Sequence, residues 1–98
     1  MTPRLFVRKL AKADVTSAFD WYEAHRAGLG AEFAEEVCTV YSIIEEHPLR
    51  FPIALDDIRM ALVHRFPYVI YFVVLARHTS VIAVLHGHQK PQTWQQRR

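Results

Sequence analysis

The chain is poor in the residues that most often announce a chemistry. It holds a single cysteine, Cys38, and three glycines, and its longest apolar run, Val69 to Ala76, falls far short of the ~20 residues a membrane helix needs. One cysteine excludes an internal disulfide and fits a reducing cytoplasm, which is the expected location. Glycine is too sparse for a phosphate-cradling loop, and neither Ser42 nor Ser80 sits in a nucleophile-elbow pattern. The opening MTPRLFVRKL already carries three cations, so it does not read as a signal peptide. Repeats, low-complexity tracts and linkers are also missing.

What remains is ordinary globular material: 98 residues, 51% hydrophobic and 22% charged, enough for one domain over residues 1–98. The net charge of +2 conceals a segregation. Residues 14–47 carry eight acids against the one base Arg26, giving −7; the rest carries eleven bases against Asp56 and Asp57, giving +9. Such a split suits one face to a polyanion or an acidic partner, or else reflects two solvated surfaces of different composition.

Arg4 to Leu10 alternates imperfectly and predicts a short first strand ending near Lys9. Asp14 offers an N-cap for a first helix, with Val15, Ala18, Phe19 and Tyr22 at helical spacing up to about Arg26. Gly28 suits the position past the helix end where a positive φ is needed, so the next helix should fold back as a hairpin. Phe33, Val37, Val40, Tyr41 and Ile44 then form one apolar stripe, which His47-Pro48 terminates. Leu49 to Ile58 reads as a loop that packs Phe51 and Ile53 inward, with Asp56-Asp57 as turn residues. Cys38 lies off the stripe and is expected to be a small packing residue.

Arg59 to His88 gives three apolar, β-branched and aromatic runs: Arg59–Arg65, Tyr68–Leu75 and Thr79–Leu85. They predict an antiparallel meander with the second run central. The economical packing is an α+β fold of order β-α-α-β-β-β, with a helical hairpin on one face of a mainly antiparallel sheet. The position of the first strand in that sheet is left open. After His88 the chain turns polar and basic; Pro91 starts a last helical turn, and Trp94 is expected to fold back onto the body.

Several motifs give this order a familiar look. They are Trp21-Tyr22-Glu23; Gly28-Leu29-Gly30 with Glu32-Phe33; Pro48 with Phe51-Pro52; Arg59; Arg65-Phe66-Pro67-Tyr68 with Ile70-Tyr71-Phe72; and Val84-Leu85-His86 with Pro91 and Trp94. Together they cover nearly the whole chain, which resembles the RelE/ParE superfamily of bacterial type II toxins, and its wording is more similar to the ParE side. The resemblance implies the toxin component of a toxin-antitoxin system. Such a toxin is neutralised by a cognate antitoxin, which also binds the operator DNA. The implied target is DNA gyrase for a ParE-like, plasmid-stabilisation type of toxin. The alternative is messenger RNA in the ribosome for a RelE-like, metal-free endonuclease; an inactive co-repressor is a third.

Metal-free RNA cleavage needs a base, an acid and cations for the phosphorane-like charge. Arg59 and Arg65 suit the last task, and His86 or His88 the first two, because histidine titrates near the working pH. Along one strand, however, Arg59 and Arg65 would lie about 20 Å apart at ~3.3 Å per residue. The meander therefore predicts a cluster of Arg65, His86, His88 and Lys90, with Arg59 apart. The residues expected to bind a target or antitoxin are Arg59, Arg65, His86, His88, Lys90 and Trp94. His86 and His88 have same-face spacing for zinc but no dictated third ligand, so neither metal nor cofactor is expected.

Overall fold

A computed structural model describes residues 5–98, so the expected strand residue Arg4 lies outside the described residues. The elements run β1 (Leu5–Val7), α1 (Lys9–His25), α2 (Leu29–Glu46), a 3₁₀ turn (Pro48–Arg50), β2 (Ile53–Leu55), β3 (Ile58–Leu62), β4 (Tyr68–Val74), β5 (Thr79–His86) and α3 (Pro91–Gln95). The five strands form one sheet in the order β1-β5-β4-β3-β2. β1 pairs parallel with β5, and every other pairing is antiparallel. This is the α+β arrangement that the hydrophobic patterns predict, with one more strand. Pro52 is followed by a three-residue edge strand, β2, which leaves Ile53 55% exposed rather than packed inward. Phe51 does turn in, meeting Phe72 edge-on at 5.8 Å between centroids.

α1 and α2 lie on one face of the sheet. Ala11, Ala18 and Tyr22 from α1 meet Phe33, Val37, Val40 and Ile44 from α2 over Ile70, Phe72, Val81 and Val84. The apolar stripe of α2 is buried as its spacing requires, with Tyr41 half-buried beside it. The hairpin turn depends on two glycines. Gly28 has φ +91°, in the left-handed region that an L side chain avoids. At Gly30 an added Cβ would stand 2.6 Å from the Phe19 carbonyl oxygen, so only glycine permits this approach of the helices. Glu23 then accepts from the Gly28 and Gly30 amides at 2.8 and 2.9 Å, capping the start of α2 from the neighbouring helix.

The opposite face carries a second core of Ile58, Val69, Tyr71, Val73, Ile82, Ala83, Leu85 and Trp94. Trp94 on α3 stacks on Tyr71, 4.3 Å between centroids and 12° between planes, so the aromatic near the C-terminus does fold back. β4 and β5 are covered on both faces, which explains their almost uninterrupted apolar runs. Leu62, 69% exposed, marks where that second cover ends.

α1 starts five residues before its expected cap, because Asp14 is used elsewhere. β1 reaches only as far as Val81 on β5, whose edge continues to His86. Beyond that point Asp14 accepts from the Val84 amide at 2.9 Å, and the Arg97 guanidinium donates to the Ile82 carbonyl at 3.3 Å. The two side chains bind each other at 2.5 and 3.2 Å. An ion pair thus replaces the missing strand along this stretch of edge.

Asp14→Ala would leave the half-buried Arg97 guanidinium without its carboxylate and the Val84 amide unpaired, and is expected to destabilise the fold by about 1–3 kcal/mol in urea unfolding. The Tyr41 hydroxyl is buried with no hydrogen-bond partner among the described residues, and burial pushes the phenol well above its ordinary pKa. Tyr41→Phe is therefore expected to be neutral or stabilising by about 1 kcal/mol in the same assay.

Candidate functional site

The residues singled out in the sequence do not gather in one place. Arg59, half-buried on β3, donates to the Phe51 carbonyl at 2.7 Å and fastens the segment that leads into β2. β3 ends at Leu62, so the alternation that would set Arg65 on the same strand face stops short of it. Arg65 instead occupies the β3–β4 connection with φ +74°, a conformation costly for a residue with a Cβ. It turns toward α2, binding Glu32 at 2.8 Å and lying 3.7 Å from Glu36, with its guanidinium carbon 5.4 Å from the Phe66 ring centroid. Arg26 and His64 join the same group through Glu32 and Glu36.

The expected cluster of Arg65 with His86, His88 and Lys90 therefore divides. Arg65 is committed to the helices, while the His86 and His88 rings stack on each other at 5.2 Å, and His86 meets Tyr68 edge-on at 5.5 Å. The His88 amide donates to His86 Nδ1 at 3.1 Å, so in the neutral ring Nε2 carries the proton and acts as a donor. Trp94 is only 7% exposed and serves the second core. Among the described residues, no three of the metal-ligating types come together, and no helix is long and apolar enough to cross a membrane.

A different place has the form of a site. Beside the end of β5, α1 and the β4 entry enclose a cleft of about 680 Å³. Ser17, Ala18, Trp21 and Tyr22 of α1 line it from the helix side, and Pro67, Tyr68, Leu85, His86 and Gln89 from the sheet side, with Asp14 and Val84 also in the lining. Trp21 is 56% exposed at the rim and lies against His25, 3.8 Å between ring centroids. The His25 ring donates from Nδ1 to the Trp21 carbonyl at 2.8 Å, holding that pair in place. Burial raises the pKa of the Tyr22 and Tyr68 phenols, with Tyr68 adding to the effect on Tyr22 and Asp14 to that on Tyr68, so both remain protonated at neutral pH. Of the residues expected to bind a partner, only His86 lines this cleft. Ser17 and Gln89 carry no periodic signal in the amino acids; Trp21, Tyr22 and Tyr68 all fall inside the motifs that carry the family resemblance.

Folding also consumes much of the charge split. Arg65 and Arg97 from the basic part pair with Glu32, Glu36 and Asp14 from the acidic part. Arg98 takes Asp57 in a two-pronged contact at 2.8 and 2.6 Å.

The fold has a counterpart among solved structures. A chain from the structure described as "Chromosomal ParDE TA system from P. aeruginosa" superposes with a TM-score of 0.77 at 14% identity, covering 86% of this chain and 95% of that one. No protein-family model matches the sequence, and no curated protein matches it. The chain has a ParE-like toxin fold.

The Arg65 hydrogen bond, with a further contribution from Arg26, holds the Glu32 carboxyl below its ordinary pKa. A group depressed on folding contributes stability above its unfolded pKa and loses that contribution as pH falls through the folded value. The midpoint of thermal unfolding should accordingly fall less steeply on acidification in Glu32→Gln than in the native chain, below the ordinary carboxylate range. High salt should narrow the difference, since the pair is solvent-accessible.

Proposed function

We infer that this protein is the toxin component of a type II toxin-antitoxin system, of the ParE type, held inactive by a cognate antitoxin and acting on DNA gyrase. The observation that carries the reading is the likeness to a ParDE chain over 86% of this chain and 95% of the other, which leaves little of either fold unaccounted for. The side-chain geometry favours a binding protein over a nuclease. Arg59 holds a backbone carbonyl and Arg65 holds two carboxylates, so neither guanidinium is directed at a common phosphate. His86 accepts a backbone amide at the nitrogen it would otherwise use as a base.

Expression without its antitoxin should arrest bacterial growth, and co-expression with the product of an adjoining reading frame should relieve the arrest. Purified toxin should inhibit supercoiling and accumulate cleavage complexes with purified gyrase. Inactive toxin in excess, with gyrase otherwise responsive, overturns the gyrase assignment. Cleavage of messages on ribosomes that disappears in His86→Ala would instead establish the RelE-like activity. Absence of any growth arrest would leave a co-repressor.

A further inference from the structure

The cleft between α1 and the end of β5 is rich in donors. The Ser17 hydroxyl, the Trp21 indole, the Tyr22 and Tyr68 phenols, the His86 ring and the Gln89 amide all line it, and among the described residues none of these donors meets a protein acceptor. The one acid in the lining, Asp14, already accepts from the Val84 amide and from Arg97. Around these donors the wall is apolar, made by Ala18, the Trp21 ring, Pro67 and Leu85.

A concave surface that offers hydrogen, supplies no free carboxylate and is otherwise apolar is complementary to a ligand that brings both an acceptor and an apolar group. We propose that the cleft docks a segment of a partner protein in which a carboxylate side chain lies next to a large apolar one. The carboxylate takes the donors of Tyr68, His86 and Gln89, and the apolar side chain lies against Trp21. Exposed tryptophan at the rim of such a hollow is the residue type that most often anchors protein partners. A nucleic acid fits less well, because its affinity depends on several Lys or Arg contacts to phosphates. Neither a lysine nor an arginine lines the cleft. The inference rests on the toxin reading only for the source of the segment, which would then be the antitoxin.

The test pans a displayed library of random twelve-residue peptides on the immobilised full chain and titrates the enriched peptides by calorimetry. Asp or Glu beside an aromatic or large aliphatic residue should be enriched. Ser17→Glu places a carboxylate among the donors at an exposed helical position, and Trp21→Ala removes the anchor; each should weaken binding at least about tenfold, or ~1.4 kcal/mol. Ser17→Gln, of the same size without the charge, should stay within about threefold of the native chain. Thermal melts of each variant report the fold separately. Failure to enrich, enrichment of basic peptides, or acidic peptides indifferent to Ser17→Glu and Trp21→Ala each overturn the proposal. Growth arrest is scored independently, so binding without arrest removes only the toxin reading, and arrest without binding removes only the docking site.

Discussion

The fold is governed by a mismatch in strand length. β5 is eight residues long and its neighbour β1 three, so most of that edge of β5 would be left without hydrogen-bond partners. Buried backbone groups cannot be left unpaired without a cost comparable to a lost hydrogen bond. Asp14 and Arg97 supply the missing acceptor and donor, one at Val84 and one at Ile82. Because the carboxylate comes from α1 and the guanidinium from the C-terminal segment, one ion pair fixes the helical hairpin, the sheet edge and the chain end relative to one another. Arg8 reinforces the same junction, donating to Ser80 Oγ at 2.7 Å and to the Arg97 carbonyl at 3.0 Å.

From that junction the position of the cleft follows. α1 must leave β1 early enough to bring Asp14 to Val84, and its next turns then run alongside the end of β5 with Ser17, Trp21 and Tyr22 facing Tyr68 and His86. At the other end of the hairpin, the Glu23 cap and the close approach at Gly30 hold α2 against α1. Arg65 ties the β3–β4 connection to that end of α2, accepting a strained φ in exchange for two carboxylates. The walls of the cleft are thus set largely by contacts outside it, and the donors of Ser17, Trp21, Tyr68 and Gln89 that line it meet no acceptor among the described residues.

Much of this was legible in the amino acids. The stripe from Phe33 to Ile44, the positive φ at Gly28, the meander and the return of Trp94 each follow from a local rule: helical period, glycine permissiveness, strand alternation, aromatic burial. The failures share a cause as well. Asp14 reads locally as a cap, and only the distant Val84 and Arg97, 70 and 83 residues away, make it an edge partner. Arg65 reads as the outward end of a strand, whereas Glu32, 33 residues earlier, draws it out of that geometry. β2 is too short and too interrupted by Pro52 to show a period at all. Local chemistry fixes elements; the partners of a charged side chain are a tertiary property.

The same distinction bears on function. In sequence, two arginines and two histidines suggested the cations and proton carriers of a metal-free nuclease, and the segregated charge suggested a face for a polyanion. In the fold, both arginines and much of the segregated charge hold the molecule together. A guanidinium already oriented by a carbonyl or by carboxylates is turned away from a common phosphate, and catalysis favours groups preorganised toward the developing charge. What remains uncommitted is a set of neutral donors and an exposed tryptophan around a hollow. That inventory suits recognition of another protein better than it suits bond cleavage.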